Sequence, residues 1–261
     1  MPSADSPAVA PADLLSLALR IAKQAGELLM DRPATFEISS KSTAIDIATQ
    51  MDHASEKFIV SALLAARPGD GIIGEEGASR PSSSGITWVI DPVDGTVNYL
   101  YGVPGWNVSI GAKDESGRLV GVVHAPTVAS TWSAIRGEGA WFNGAPITCN
   151  DPISLDRALI GTGFAYDVGA RVEQGRVIAS LLPQIRDLRR MGSAAVDLCY
   201  VAMGTFDGYF ELGLKEWDSA AGALIAQEAG AIVSVTEGDV TICAGPALHP
   251  QLARAIAPVA R

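Results

Sequence analysis

Leu14, Leu15, Ala18, Ile21, Ala22, Ala25, Leu28 and Leu29 recur three and four residues apart, which predicts an amphipathic helix from Leu14 to Met30. Asp13 is placed to cap it and Pro33 to stop it. A second helix is predicted from Thr49 to Ala66, with Ala54, Phe58, Ile59 and Leu63 on one stripe. The apolar pattern then shortens. Ile72-Ile73, Thr87 to Ile90, Asn107 to Lys113, Leu119 to His124 and Thr131 to Arg136 read as strands, the last three as an antiparallel meander. After Pro152, strands at 159–163, 185–189, 208–212 and 231–235 alternate with helices at 171–182, 193–203, 218–229 and 246–257, the last stopped by Pro258. Alternation of this kind implies an α/β layer. The expected organisation is an Ala/Pro/Ser-rich disordered tail at 1–12, an α+β half at 13–148 and an α/β half at 149–261.

Charge narrows the functional classes. Asp and Glu number 29 against 19 Lys and Arg, a net charge of −10 in 261 residues. A field of that sign repels nucleic-acid phosphates and anionic membranes and suits the binding of cations. Neither nucleic acid nor membrane is an expected partner. Arg20, Lys23, Gln24 and Glu27 interrupt the most apolar helix, so it is no membrane span. Cys149, Cys199 and Cys243 are scattered, and His53, His124 and His249 form no paired motif, which argues against a disulfide framework or a zinc site. A cytoplasmic setting is expected, and the first residues lack the basic and apolar regions of a signal peptide.

Candidate chemistry lies in TWVIDPVDGTVNY, residues 87–99. An apolar strand ends on Asp91, Pro92 is expected to stop its pairing, and Asp94 follows. Two carboxylates so close repel each other unless a cation lies between them. With the Val93 carbonyl they make a hard oxygen set that suits Mg²⁺. Gly95 lets the backbone approach a ligand, and Thr96 opens a helix whose N–H groups form an anion site. An ordinary Asp-Pro turn before a capped helix would read the same way, and this segment alone leaves both readings open. Three further acidic positions accompany it: Gly74-Glu75-Glu76-Gly77, Trp217-Asp218 at the start of an Ala-rich helix, and Asp52 with Glu56 one turn on. Singly they read as a solvated loop, an N-cap and a solvent-facing helix residue. Composition does not explain their joint occurrence.

The blocks KSTAIDIATQMD (41–52), GEEG (74–77), WVIDPVDGTVNY (88–99), RRMGSAAVD (189–197) and ELGLKEWDSAAG (211–222) resemble the inositol monophosphatase family of Mg²⁺-dependent phosphatases. They span most of the chain in family order, and the pairing of DPxDGT with WDxAAG is the specific part. The resemblance implies an αβαβα sandwich of the sugar-phosphatase type, usually a homodimer, inhibited by lithium. It implies that Glu75, Asp91 and the Val93 carbonyl hold one metal, that Asp91, Asp94 and Asp218 hold a second, and that Glu75 with Asp52 line a weaker third site, two to three Mg²⁺ in all. Thr96, with Glu75 or Asp52, would orient and deprotonate the attacking water. Gly95 and Thr96 would bind phosphate, beside Asp94 and Asp218. Glu211 would contact sugar hydroxyls, Gly192, Ser193 and Ala194 would wall the pocket, and Arg189 would lie near the substrate side and the dimer interface. Thr43, Ala44 and Tyr99 depart from the family pattern away from every implied ligand.

The implied activity is hydrolysis of inositol 1-phosphate, a small phosphorylated polyol. Histidinol phosphate, fructose 1,6-bisphosphate and 3′-phosphoadenosine 5′-phosphate stay open within the same chemistry. A different class is a regulatory role in transcription or ribosome assembly. Of the remaining features, GTGFAY (161–166) lacks the third glycine of a dinucleotide fingerprint and reads as a strand-end loop lining the substrate side at most. Arg186, Arg189 and Arg190 form a basic cluster that suits surface solvation or a substrate or subunit contact.

Overall fold

A computed structural model describes residues 10–257. Helix α1 (Pro11–Met30) takes in the last two residues of the anticipated tail; residues 1–9 lie outside the described part. Ala10 occupies the cap position, and Asp13 sits in the first turn, where a negative charge favours the helix dipole. A hairpin of β1 (Ile38–Ser40) and β2 (Ile47–Thr49), with no counterpart in the sequence pattern, leads to α2 (Gln50–Ala66).

Eight strands form the first sheet: β3 (Gly71–Gly74), β4 (Ser79–Arg80), β5 (Thr87–Asp94), β6 (Asn107–Asp114), β7 (Gly117–Ala125), β8 (Ser130–Ile135), β9 (Gly139–Phe142) and β10 (Ala145–Pro146). Their order is β10-β9-β8-β7-β6-β5-β3-β4, and only the β3/β5 pair is parallel. The short α3 (Thr96–Tyr101) joins β5 to β6. Five strands form the second sheet: β11 (Leu159–Thr162), β12 (Asp187–Arg189), β13 (Gly208–Leu212), β14 (Ile232–Val235) and β15 (Val240–Ala244), in the order β12-β11-β13-β15-β14. Strand β11 runs parallel to both neighbours; the remaining pairs are antiparallel. Helices α4 (Val168–Leu181), α5 (Ala194–Ala202), α6 (Glu216–Glu228) and α7 (His249–Ile256) complete the chain, and Pro258 lies outside the described residues.

Three apolar clusters bind these elements into five layers, αβαβα. In the outer cluster, Leu14, Ile21 and Leu29 of α1 and Ile59 and Leu63 of α2 pack on Trp88, Ile90, Val108 and Val120 of the first sheet. A central cluster sets Val123, Trp132 and Ala134 of that sheet against Ala195, Leu198, Ala221 and Ile225 of α5 and α6, and these against Tyr209 and Cys243 of the second sheet. The far cluster joins Ile160, Phe210 and Ile242 to Val177 and Leu181 of α4 and Leu252 of α7. The central cluster thus draws on both sides of position 148. No helix among the described residues is long and apolar enough to cross a membrane.

Small residues let α6 lie close on the sheet. Gly111 and Gly121 are register partners on β6 and β7. A Cβ at Gly121 would stand 3.0 Å from the Ala221 Cα and 2.9 Å from its carbonyl oxygen, and one at Gly111 would stand 3.1 Å from the Ala220 Cβ. Backbone cannot yield as a flexible side chain can, so added volume at Gly121 must push α6 away. Gly121→Val is expected to destabilise the protein by about 2 kcal/mol, read from urea unfolding; unchanged stability would contradict the close approach.

Candidate active site

The acidic turn is built by a bulge. Strand β5 does not stop at Pro92, as the sequence pattern suggests, but continues to Asp94. Asp91 pairs with Ser109 and Asp94 with Asn107, so three steps on β5 match two on β6. In a regular strand residues three apart face opposite sides; the extra residue brings Asp91 and Asp94 to one side. Proline is tolerated at such a bulge because the ladder is already interrupted there. Gly95 then takes a left-handed conformation (φ 87°), and Thr96 starts α3.

Glu75, Asp91, Asp94 and Asp218 line one cavity of about 130 Å³ with Val93, Gly95 and Thr96. Protein donors engage one oxygen of each carboxylate. The Val93 N–H donates to Asp91 Oδ1 (3.1 Å). Ser193 Oγ (2.6 Å), the Ala195 N–H (2.8 Å) and Asn107 Nδ2 (3.2 Å) donate to Asp94 Oδ2. The Lys215 N–H donates to Asp218 Oδ2 (2.6 Å), and Lys41 Nζ donates to Glu75 Oε1 (2.8 Å). Asp218 is not the cap of its helix but lies in the first turn, reaching back to Lys215, because α6 begins at Glu216.

Burial, reinforced by the Glu75, Asp94 and Asp218 charges, holds the Asp91 carboxyl well above the usual range. Burial also raises Glu75 and Asp94 despite their donors, and pushes Asp218 up to about 8. Among the described residues no three His, Cys, Asp or Glu side chains already form a metal cage. The donor set nevertheless fits divalent cations: four hard carboxylates and a carbonyl, crowded and short of positive partners.

Asp52 and Thr96 make a second unit. Thr49 caps α2, and Asp52 in the same turn accepts from the Thr49 N–H (2.8 Å) and Oγ1 (2.6 Å) through Oδ2. Its Oδ1 accepts from Thr96 Oγ1 at 2.9 Å. Asp52 is therefore fully buried rather than solvent-facing, and so is most of Glu56. Glu56 accepts from the backbone N–H groups of Glu76 (2.9 Å) and Ala78 (3.0 Å), shaping the turn that aims Glu75 inward. Glu76 turns away to Lys41 and His53. The Val93 carbonyl lies 3.1 Å from the same Thr96 Oγ1, whose single proton is turned to the nearer Asp52 Oδ1.

On the substrate side, Gly192, Ser193, Ala194 and Glu211 line the same cavity, as does the Thr162-Gly163-Phe164 segment. Tyr209 donates to Glu211 Oε2 (2.5 Å), and burial pushes the Glu211 carboxyl up to about 7. Arg189 is not among the residues that line this cavity: it lies exposed on edge strand β12, with its guanidinium on Asp187 Oδ2 (2.6 Å) and the Leu188 carbonyl (2.8 Å). Residues two apart share a strand face, which makes Asp187 its partner. Arg190, just past the strand end, lines the cavity instead. Tyr166, in the loop expected to line the substrate side at most, and Asp197 also line the cavity; the sequence pattern gave no role to Lys41 or Asp197, which stood inside motif blocks without any spacing that marked them.

The inositol monophosphatase family model matches residues 11–259, and the chain belongs to that family. It is 39% identical to the inositol-1-monophosphatase SuhB of Mycobacterium tuberculosis (strain H37Rv), covering 94% of each chain. It is 37% identical to the Nus factor SuhB of Escherichia coli (strain K12), covering 85% of this chain and 84% of that one. Among solved structures, the extragenic suppressor protein suhB of Bartonella henselae superposes with a TM-score of 0.88 at 31% identity, over 94% of this chain and 98% of that one. The Thermotoga maritima IMPase gives 0.87 at 29% identity, over 95% and 98%.

A carboxyl whose pKa is raised on folding binds its proton more tightly in the folded chain. Its contribution to stability is present at low pH and lost as pH rises, for Asp218 through about 8. A cation bound there would replace those protons. Added Mg²⁺ is therefore expected to raise the melting temperature more at pH 8 than at pH 5.5. An equal or reversed effect in a thermal-shift series would contradict the carboxylate cluster as its binding place.

Proposed function

We propose that this chain is a Mg²⁺-dependent phosphomonoesterase that hydrolyses inositol 1-phosphate to inositol and phosphate. The observation that carries this reading is the convergence of Glu75, Asp91, Asp94 and Asp218, from three separate stretches of chain, on a cavity that also holds Thr96. Glu75, Asp91, Asp94, Asp218 and the Val93 carbonyl would hold the cations. Bound Mg²⁺ would neutralise phosphoryl oxygens and acidify nearby water.

The protein's own part is positioning and proton movement. Thr96 Oγ1 donates to Asp52 Oδ1, which leaves the lone pairs of Thr96 Oγ1 to accept from the attacking water. As the water's proton moves to Thr96 Oγ1, the threonine's proton moves to Asp52 Oδ1, and the Thr49 donors on Oδ2 fix the carboxylate for that transfer. Gly95, Gly192 and Ala194 bring backbone close to the phosphate without side-chain bulk. Glu211, with Oε2 held by Tyr209, presents Oε1 to hydroxyls of the alcohol.

Relatives named Nus factor favour a second reading, a binding role in transcription. Salt-sensitive RNA binding with no phosphatase activity would support that reading against ours. Homodimer assembly and lithium inhibition belong to the proposal as family traits.

Asp91→Asn and Asp94→Asn are expected to fold and to lose turnover by about a thousandfold or more, since each removes a ligand charge. Inositol 1-phosphate hydrolysis is also expected to vanish in excess EDTA and return with Mg²⁺. Near-normal rates in either variant, or full activity in chelator, would end this mechanism.

A further inference from the structure

Asn107 has no part in the chemistry above, yet it is fully buried and bonded to the Asp94 carboxylate. It is the first residue of β6 and the register partner of Asp94 across the bulge. Its Nδ2 donates to Ser193 Oγ at 2.8 Å and to Asp94 Oδ2 at 3.2 Å. Ser193 Oγ also accepts from the Val196 N–H (3.1 Å). Both lone pairs of that hydroxyl are then engaged, and its one proton goes to Asp94 Oδ2, 2.6 Å away. With the Ala195 N–H added, this single carboxylate oxygen takes three donors, and Oδ1 is left to the cavity.

The amide orientation is fixed by its neighbours. Turned over, Asn107 would set its carbonyl oxygen against a carboxylate oxygen and against a hydroxyl whose proton is already given. The orientation has a cost, because Asn107 Oδ1 is buried without a hydrogen-bond partner. An apolar side chain of similar size would avoid that cost and forgo the two bonds from Nδ2. Those bonds bear on the cation. A carboxylate with one oxygen fully engaged ligates through the other alone, which suits the small octahedral Mg²⁺. Ca²⁺ takes roughly six to eight oxygens in looser array and gains from both oxygens of a carboxylate. We infer that Asn107 is a positioning residue that confines Asp94 to ligation through Oδ1 and thereby sets the preference of the site for Mg²⁺ over Ca²⁺. This rests on the carboxylate cluster as the cation site of the proposed phosphatase and supplies a cause for its choice of ion. Without Asn107, Oδ2 loses a donor and the Ser193 proton is no longer fixed, so Asp94 is free to turn both oxygens to a larger ion.

The test reads cation binding apart from turnover, in thermal-shift titrations of the full chain with MgCl₂ and with CaCl₂. Asn107→Leu and Asn107→Ala are expected to raise the half-saturating Mg²⁺ concentration about tenfold or more. The Ca²⁺ value is expected to change by less than about threefold, so the ratio between the ions falls. Ser109 lies on the same face of β6, and its Oγ has no hydrogen-bond partner. Ser109→Ala is therefore expected to leave both values unchanged. The Mg²⁺ concentration that half-activates hydrolysis of inositol 1-phosphate is expected to rise in step in the Asn107 variants, with kcat at saturating Mg²⁺ kept within about threefold. Mg²⁺ and Ca²⁺ weakened alike, an unchanged Mg²⁺ response, the same loss in Ser109→Ala, or failure of both Asn107 variants to fold would overturn the inference. A wild-type chain that shows the expected cation pattern and hydrolyses no phosphomonoester keeps the role of Asn107 and ends the phosphatase reading. Hydrolysis in every variant with one unchanged Mg²⁺ requirement does the reverse.

Discussion

Mutual repulsion among buried carboxylates is the constraint around which this molecule is arranged. Glu75, Asp91, Asp94 and Asp218 share one cavity, and desolvation raises the carboxyl pKa of all four. Each is held by a donor from the chain, but only Glu75 has a cationic side chain as that donor. Backbone N–H groups and neutral side chains orient a carboxylate without cancelling its charge, so the cluster keeps its demand for external cations. A full set of lysines or arginines would have relieved the strain and removed the site.

The layers make this geometry possible. The N-terminal turns of α2, α5 and α6 all bear on the site: Asp52 lies in the first, Ser193 caps the second, and Asp218 lies in the third. Helix dipoles place partial positive charge at those turns, which eases the burial of anions. Asp94 ties the arrangement together. It is carried by β5, and its Oδ2 accepts from β6 through Asn107 and from the start of α5 through Ser193 and Ala195. One carboxylate oxygen thus fixes the first sheet to the central helices at the place where chemistry is proposed, so local misfolding of the seam and loss of the site are the same event.

Much of this was legible in the sequence because the informative features are local. The α1 stripe, the three-strand meander and the DPVDGT turn each declare themselves within one continuous stretch of chain. What escaped depends on contacts across the chain. Strand β15 is five buried residues, Thr241 among them, with no alternation of burial to read, and its place between β13 and β14 comes from tertiary pairing. The bulge at Pro92 depends on β6 lying opposite, so the proline was taken as an end. Arg189 and Arg190 differ only in which lies inside a strand, and Asp187 captures the first. In Asp52 and Asp218 a helix-start role and a proposed site role fall on the same residue, since each accepts from the backbone N–H three residues before it, and that is why the local pattern read one as solvent-facing and the other as a cap.

That overlap bears on whether a chain of this build works as a catalyst or only as a surface for partners. A surface role places its demands on exposed groups and gains nothing from Asp91 and Asp94 buried at 2% and 8% exposure. Replacing such groups by neutral residues of similar size generally stabilises a fold or leaves it unchanged. A chain relieved of chemistry would lose little by replacing them. Here the costly set is complete, and it faces a cavity rather than a sealed core. Electrostatic strain that opens onto a cavity is what the proposed binding of cations and a phosphate ester would require of this chain.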